Sequence, residues 1–304
     1  MQLSLHRLWI FLQVVDSGGF SAAAQKLYMS QPSVSNQVRQ LESSLGAVLV
    51  DRSGSRIRPT AEGQVLAEHA RRIFSLADQA VAAIQSVQGL SSGRLSVGGT
   101  TTAGTYLLPG LLARFGAQFP HITCDLFVGN EAQVRSRLLD GELGLAVFAG
   151  SPTADQLSVE QILTDRLLLV CAPSHPLAGL AVAPSALAAE HFLLRERGSS
   201  TRAVQLETLA LWGLSDVSTA DMWGPETLKQ AIRATLGIGL ISEHALTDEL
   251  SAGWLRPITV SPPPTPRPVT AAHRHDRSLS PAEQAFLTLL RGLSSWPEPG
   301  NGSS

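Results

Sequence analysis

Cysteine is scarce: there are two in 304 residues, Cys124 and Cys171. Each lies in an apolar, strand-like run (Ile122–Val128 and Leu167–Ala172). Buried inert thiols are therefore the reading ahead of a disulfide or a redox pair. Long apolar runs are missing too. None approaches the roughly 18 residues that span a bilayer. The first thirty residues show no basic-then-apolar signal pattern, because Asp16 and Gly18-Gly19 interrupt them. This predicts a cytoplasmic protein without a membrane partner. Catalytic signatures are also absent: no phosphate loop ending in Gly-Lys-Ser/Thr, no Cys-x-x-Cys and no His-Glu-x-x-His. Gly89-Leu-Ser-Ser-Gly93 matches a nucleophile elbow by letter, but that motif needs a strand before it and a helix after it. Here the predicted order is reversed. His273 and His275 stand two apart with no third ligand evident, so no metal site is expected.

What is present argues for a folded, two-part chain. Hydrophobic residues make up 44% and charged residues 16%, enough apolar material for a core. At about 150 residues per domain, two units or slightly more are expected. The net charge of −2 hides an asymmetry. Residues 1–60 carry six basic side chains (Arg7, Lys26, Arg39, Arg52, Arg56, Arg58) against Asp16, Glu42 and Asp51. A basic end on an acidic body suits a polyanion bound at that end.

The apolar spacing in residues 5–17 (Leu5, Leu8, Trp9, Leu12, Val15) predicts a helix stopped by Gly18-Gly19. A second helix follows from about Ser21. Ser30 is a natural N-cap with Pro32 in the first turn, and Val34, Val38, Leu41 and Leu45 mark a third helix ended by Gly46. Two short helices about a tight turn are a helix-turn-helix. The other face of the third helix carries hydrogen-bonding groups of short or medium reach. Ser30, Gln31, Pro32, Ser33, Ser35, Asn36 and Arg39 are the candidate DNA contacts, since base edges and phosphates need such groups. The alternative is an ordinary amphipathic surface helix. Val48–Val50 and Arg56–Arg58 read as strands of a small wing about Ser53-Gly54-Ser55. Arg52 and Arg56 beside its tip suit a phosphate rail or a narrow minor groove, or are merely solvated.

Thr60 caps a further helix running to about Gln88. Leu66, Ala70, Ile73, Ala77, Ala80, Ile84 and Val87 form a heptad seam, read as a dimerisation stalk about 43 Å long. The alternative is packing against its own domain. From Arg94 onward predicted strands (Leu95–Gly98, Ile122–Val128, Gly144–Val147, Leu167–Ala172, His191–Leu194, Val217–Ala220, Gly239–Ser242, Val269–His273) alternate with predicted helices (Tyr106–Gln118, Ala132–Asp140, Arg202–Trp212, Pro225–Thr235, Glu243–Ala252, Pro281–Leu293), which predicts α/β layers with parallel sheets. Ser280, Pro281 and Glu283 mark a capping box on the last helix. The Pro262–Pro268 run is read as a stiff spacer.

Phe20-Ser-Ala-Ala-Ala, Ser30-Gln-Pro-Ser-Val-Ser, Gln40-Leu-Glu and Arg58-Pro-Thr-Ala-Glu-Gly resemble the LysR-type transcriptional regulators. The resemblance covers essentially residues 1–295 and is most specific at the N-terminus. It implies a winged helix-turn-helix at 1–60, a linker and dimerisation helix at 61–90, and a two-lobed α/β effector domain at 91–296 like a periplasmic binding protein. Lobe I would be 94–166 with 269–296, lobe II 167–268, and 297–304 a disordered tail. It further implies a non-enzymatic regulator that pairs into a dimer and then a tetramer on double-stranded DNA, with RNA polymerase as a further partner. No cofactor is implied beyond a small effector held between the lobes. Two departures from the family pattern stand out. Val50 replaces a usual aromatic, and Asn36 stands where a basic residue is common, so base readout leans on Arg39 and neutral side chains.

Two segments are candidate effector walls. Thr100, Thr101 and Thr102 follow a strand and precede a helix, where hydroxyls and helix N–H groups converge. Ser199, Ser200, Thr201 and Arg202 do the same after Gly198 and add a cation, which suits a carboxylate, sulfate or phosphate. Asn130 is a third wall, and Phe148 lines or covers the cleft. For Thr100–Thr102 the alternative is that they only cap the helix and form a turn. This pair of segments resembles the branch of the family that includes regulators of carbon-dioxide fixation and sulfur metabolism. A cytoplasmic α/β enzyme and an architectural DNA-binding protein without an effector are the competing readings. The first lacks a catalytic motif, and the second has no need of some 200 residues of binding fold.

Overall fold

The computed structural model describes residues 3–51, 57–87, 93–153 and 155–297. The chain divides into two compact units. One is Met1–Val81 with Asp140–Glu142, the other Ala82–Leu139 with Leu143–Ser304.

In the first unit α1 (Leu5–Asp16), α2 (Phe20–Lys26) and α3 (Gln31–Leu45) form the helical triangle. Leu8, Phe11 and Leu12 of α1 meet Phe20 and Ala23 of α2 and Val34, Val38 and Leu41 of α3, all buried. Each fully buried Leu or Phe contributes about 1.5–3 kcal/mol, which is what holds so small a unit together. Ser30 caps α3 as expected, its Oγ accepting the Ser33 N–H at 3.3 Å, and Gly46 ends it in the left-handed region. The wing strands β1 (Val50–Asp51) and β2 (Arg58–Pro59) pair antiparallel, shifted about two residues from the expected Val48–Val50 and Arg56–Arg58. The tip between them, with Arg52 and Arg56, lies outside the described residues.

α4 (Ala61–Val87) is a single helix of 27 residues. Thr60 caps it, its Oγ1 accepting the Gly63 N–H at 3.0 Å. The seam divides in two. Ala70 is fully buried in the unit's own core, and Leu66 and Ile73 pack against that core. Those three positions therefore belong to the intramolecular packing rather than to a free dimerisation face. Ala77 and Ala80 are exposed, and Ile84 is 65% exposed, as is Leu76 beside them. The described side chains of the seam become available only in its second half.

The second unit contains two lobes. Lobe I is a five-stranded sheet of order β4 (Ile122–Gly129), β3 (Gly93–Thr100), β5 (Leu145–Ala149), β13 (Arg267–Arg274), β6 (Leu157–Asp165). α5 (Thr101–Tyr106), α6 (Leu108–Gln118) and α7 (Glu131–Leu139) belong to it, and α11 (Pro281–Arg291) packs on its core. Lobe II has the sheet β11 (Gly239–Ser242), β7 (Leu167–Cys171), β12 (Arg256–Val260), β8 (Ala181–Val182) and the pair β10 (Thr219–Met222) with β9 (Phe192–Arg195). α8 (Ser200–Leu211), α9 (Gly224–Arg233) and α10 (Thr247–Ser251) complete it.

The sheets are mixed rather than parallel. β3 runs parallel to β4 and β5, but β13 runs antiparallel to β5 and β6, and β7 antiparallel to β11 and β12. The cause is the crossing of the chain between lobes. β6 leads directly into β7, and β12 leads back through 261–266 into β13. β6, β8 and β12 escaped the expected strand pattern. β6 is an edge strand whose partner register shifts between Val269 and Thr270, so its apolar alternation breaks. The expected helix Tyr106–Gln118 begins earlier and breaks at Leu107, and Glu243–Ala252 is a 3₁₀ turn (Glu243–Ala245) followed by α10. The capping box of α11 forms: Ser280 Oγ accepts from Glu283 N, and Glu283 Oε2 accepts from Ser280 N at 2.8 Å.

A second link joins the lobes near the last helix. The His244 and Trp296 rings stack in parallel at 4.1 Å, and Trp296 Nε1 donates to the Tyr106 carbonyl at 3.3 Å. Burial holds the His244 imidazole below its ordinary 6.5, against the pull of Asp165 and Glu243. A histidine depressed in the fold stabilises it above pH 6.5 and loses that contribution as pH falls through the folded value. The urea midpoint, followed by tryptophan fluorescence, is therefore expected to fall as pH drops below 6.5. His244→Phe keeps a stacking ring and should flatten that stage; an unchanged slope would count against the assignment.

Candidate functional site

The cleft between the lobes is lined by Thr100, Thr101, Thr102, Asn130, Glu131, Arg195, Ser199, Ser200 and Thr201. The two expected walls thus meet. Thr100 ends β3 and Thr101 and Thr102 open α5, while Ser199 is the N-cap of α8 and Ser200 and Thr201 open it. Thr100 Oγ1 accepts the Ala149 N–H at 2.8 Å, which fixes it at the C-terminal end of β3. Thr101 Oγ1 donates to the Gly129 carbonyl at 3.4 Å. Asn130 caps α7 through the Gln133 N–H at 2.9 Å.

Two expectations fail. Arg202 does not line the cleft. One residue further along α8 than Thr201, it is turned by about 100° onto lobe II, where Nη1 meets Asp221 Oδ1 at 2.6 Å and the Arg195 carbonyl. Phe148 is fully buried on the α7 side of β5, among Val134, Leu138 and Leu143. Successive strand residues face opposite sides, so it is a core side chain, neither lining nor covering the cleft.

The charged groups that matter here are others. Arg195, buried at the end of β9, lines the cleft and pairs with Glu196 through Nε and Nη2, both at 2.8 Å. Burial pushes the Glu196 carboxyl up, but the Arg195 guanidinium and the Gly224 N–H outweigh it and hold it below the usual range. Beneath the cleft lies a second pair. Arg267 donates Nε and Nη2 to Asp165 Oδ2 at 2.9 and 2.7 Å, and Ser242 Oγ donates to Oδ1 at 2.7 Å. Arg267 also reaches Thr201 Oγ1 at 2.9 Å and Thr102 Oγ1 at 3.4 Å. One guanidinium therefore touches a cleft hydroxyl from each lobe. Nothing in the sequence marked it, since its partners lie 66 to 165 positions away.

The candidate DNA face is more direct. Ser30, Gln31, Pro32, Asn36 and Arg39 are exposed, and Ser33 and Ser35 half-buried, away from the packed Val34, Val38 and Leu41. Glu42 Oε1 accepts the N–H groups of Leu49 and Val50 at 3.0 and 3.3 Å, tying α3 to the root of the wing. Arg39 lines a groove there with Val48, Asp51 and Pro59.

A winged helix-turn-helix in one unit and a hydroxyl-lined interlobe cleft in the other define a DNA-binding regulator with an effector-binding domain. Residues 5–64 match the model of the bacterial regulatory helix-turn-helix protein, lysR family, and residues 88–294 match the LysR substrate binding domain. The chain belongs to the LysR family of transcriptional regulators. It is 33% identical to the transcriptional regulator YeiE of Escherichia coli K12 over 94% of this chain and 97% of that one. It is 35% identical to the regulator CbbR of Sinorhizobium medicae over 93% and 91%. The CcmR regulatory domain of Synechocystis PCC6803, solved in complex with 2-PG, is similar at 31% identity and a TM-score of 0.59. That match covers 66% of this chain and 96% of that one. No helix among the described residues is long and apolar enough to cross a membrane.

Proposed function

We propose that this regulator's promoter binding is modulated by a small anionic metabolite held between the two lobes. The observation that carries it is the convergence of buried hydroxyls from both lobes, Thr100 and Thr102 on one side and Thr201 on the other, beside Arg195. The likeness to CcmR, solved with 2-PG, supports a small metabolite in this domain. A ligand bonded to both lobes favours the closed cleft and shifts the population of regulator conformations. The exposed second half of α4 (Leu76, Ala77, Ala80, Ile84) is the surface proposed for pairing two chains in the cytoplasm, ahead of tetramer assembly and contact with RNA polymerase.

The test is a thermal-shift screen of the full chain against small anions and organic acids, 2-PG first. Binding to the folded state raises apparent stability by mass action, about 2.7 kcal/mol at a hundredfold excess over Kd. A hit that disappears in Thr102→Val/Thr201→Val and that alters promoter binding establishes the reading. A hit that survives the double substitution places the ligand elsewhere. For the DNA face, Arg39→Ala is expected to weaken promoter binding by about 1–3 kcal/mol with the melting temperature unchanged. Equal binding in a gel-shift titration would reject the reading of α3.

A further inference from the structure

We infer that Tyr106 is an interlobe latch. It is carried by lobe I, seats its ring against lobe II and bonds its hydroxyl to Glu226, so that breaking this one contact frees the cleft to open. The inference goes beyond the reading of the cleft as an effector site and holds whatever the cleft binds.

Tyr106 ends α5, the short helix whose first residues, Thr101 and Thr102, line the cleft. α5 is pressed onto lobe I and moves with it. A Cβ at Gly104 would stand 2.9 Å from the Val128 side chain, and one at Gly99 would stand 2.6 Å from the Gly104 Cα, so glycine at both positions permits the approach. The Tyr106 ring nevertheless leaves lobe I. It packs against the lobe II cluster that includes Leu228, Ala245 and Leu246. Its hydroxyl donates to Glu226 Oε1 at 2.6 Å, in the first turn of α9. The Lys229 ammonium lies 5.4 Å from the ring centroid. Lobe II holds the acceptor in place. Lys229 is 5% exposed, and its three N–H donors meet three oxygens: Glu226 Oε1 at 2.8 Å, Glu249 Oε1 at 2.7 Å and the Ala245 carbonyl at 3.1 Å. Burial raises the Glu226 carboxyl, but Lys229 and the Tyr106 hydroxyl outweigh it and hold it below the usual range. Burial first, then Glu226, push the Tyr106 phenol up. At neutral pH a protonated phenol therefore faces an ionised carboxylate, the pairing that gives short, strong bonds. The Tyr106 carbonyl is held as well, by Trp296 Nε1 at 3.3 Å, while the Trp296 ring stacks on His244 of lobe II. Separating the lobes must break the hydroxyl bond and strip the ring from its seat. A ligand that bridges the lobes acts on this same equilibrium, and it shifts it only by its differential affinity for the two arrangements.

The test is thiol labelling of the full chain with N-ethylmaleimide, read peptide by peptide by mass spectrometry. Thr201→Cys places the reporter in the cleft, where residue 201 is 4% exposed. Cys171, fully buried in the lobe II core, is the internal reference. In that background Tyr106→Phe keeps the ring and removes only the hydroxyl. Labelling at position 201 is expected to rise roughly fivefold, with Cys171 unchanged. In a Glu226→Ala background, which already lacks the acceptor, Tyr106→Phe should add nothing. A merely structural role would raise Cys171 labelling along with position 201. That result, or no rise at position 201, would overturn the inference. A rise of the same size without Glu226 would overturn it as well, because the hydroxyl would then act through another group. Should Thr201→Cys fail to fold, Ser200→Cys reports from the same cleft under the same criteria.

Discussion

Asp165→Ala is expected to destabilise the two-lobed unit by about 3–5 kcal/mol, the usual cost of stripping one partner from a buried ion pair. Asp165 is completely buried and is the partner of Arg267 through two N–H groups. Burial, aided by the like charge of Arg195, pulls the Arg267 guanidinium below its ordinary value, and Asp165 is the group that opposes this. Removing the carboxylate leaves a cation in the interior and also deprives the Ser242 hydroxyl of its acceptor. The location magnifies the effect. Asp165 ends β6 where the chain passes into lobe II, and Arg267 opens β13 where it returns, and the two are register partners. The loss should appear as a fall of roughly 6–20 °C in the melting temperature. The double replacement Asp165→Leu/Arg267→Met removes both charges at similar volume and should recover most of the loss. A single substitution costing under about 1 kcal/mol would mean that water reaches the pair.

The DNA-binding half was legible because its information is local. The Ser30 cap, Pro32 in the first turn, Gly46 at the end of α3 and Thr60 before α4 each act within four residues, and each forms as read. The stalk seam shows the limit of periodicity. A stripe through Leu66, Ala70 and Ile73 announces that it will be covered, but not by what, and here the cover is the chain's own α1–α3 core. The cleft was half legible. Thr100–Thr102 and Ser199–Thr201 sit at strand–helix junctions, which sequence exposes, and they meet. The cation was misassigned because adjacent helical residues point about 100° apart, so Arg202 leaves the cleft that Thr201 enters. Arg195 falls one residue past the predicted strand His191–Leu194, and Arg267 within a proline-rich spacer. Their roles arise from Glu196, Asp165 and two threonines brought together by the fold.

The second large effect is expected at Gly63, and two principles disagree about its sign. Gly63 lies in the first turn of α4, a helix of 27 residues. Replacing a helical glycine by alanine ordinarily stabilises by about 0.5–1 kcal/mol, because glycine loses more freedom on folding. Sterics point the other way. A Cβ at Gly63 would stand 1.9 Å from the Leu49 carbonyl oxygen and 2.9 Å from its carbon. These are backbone atoms and cannot rotate aside. Leu49 is itself pinned: its N–H is held by Glu42, and its carbonyl accepts the Thr60 N–H at 3.0 Å. The clash must therefore move the start of α4 away from the wing root. Overpacking of this kind costs about 1–3 kcal/mol and occasionally more, which exceeds the helix gain. Gly63→Ala should lower the melting temperature of the DNA-binding unit and weaken promoter binding, since β1, β2 and Arg58 are held in place by the same contacts. Gly116→Ala is the matched control. It lies in α6 with nothing within 4 Å of its Cβ position, so there the propensity gain stands alone and a small rise in stability is expected. If Gly63→Ala stabilised as Gly116→Ala does, the close approach of α4 to Leu49 would not exist in solution.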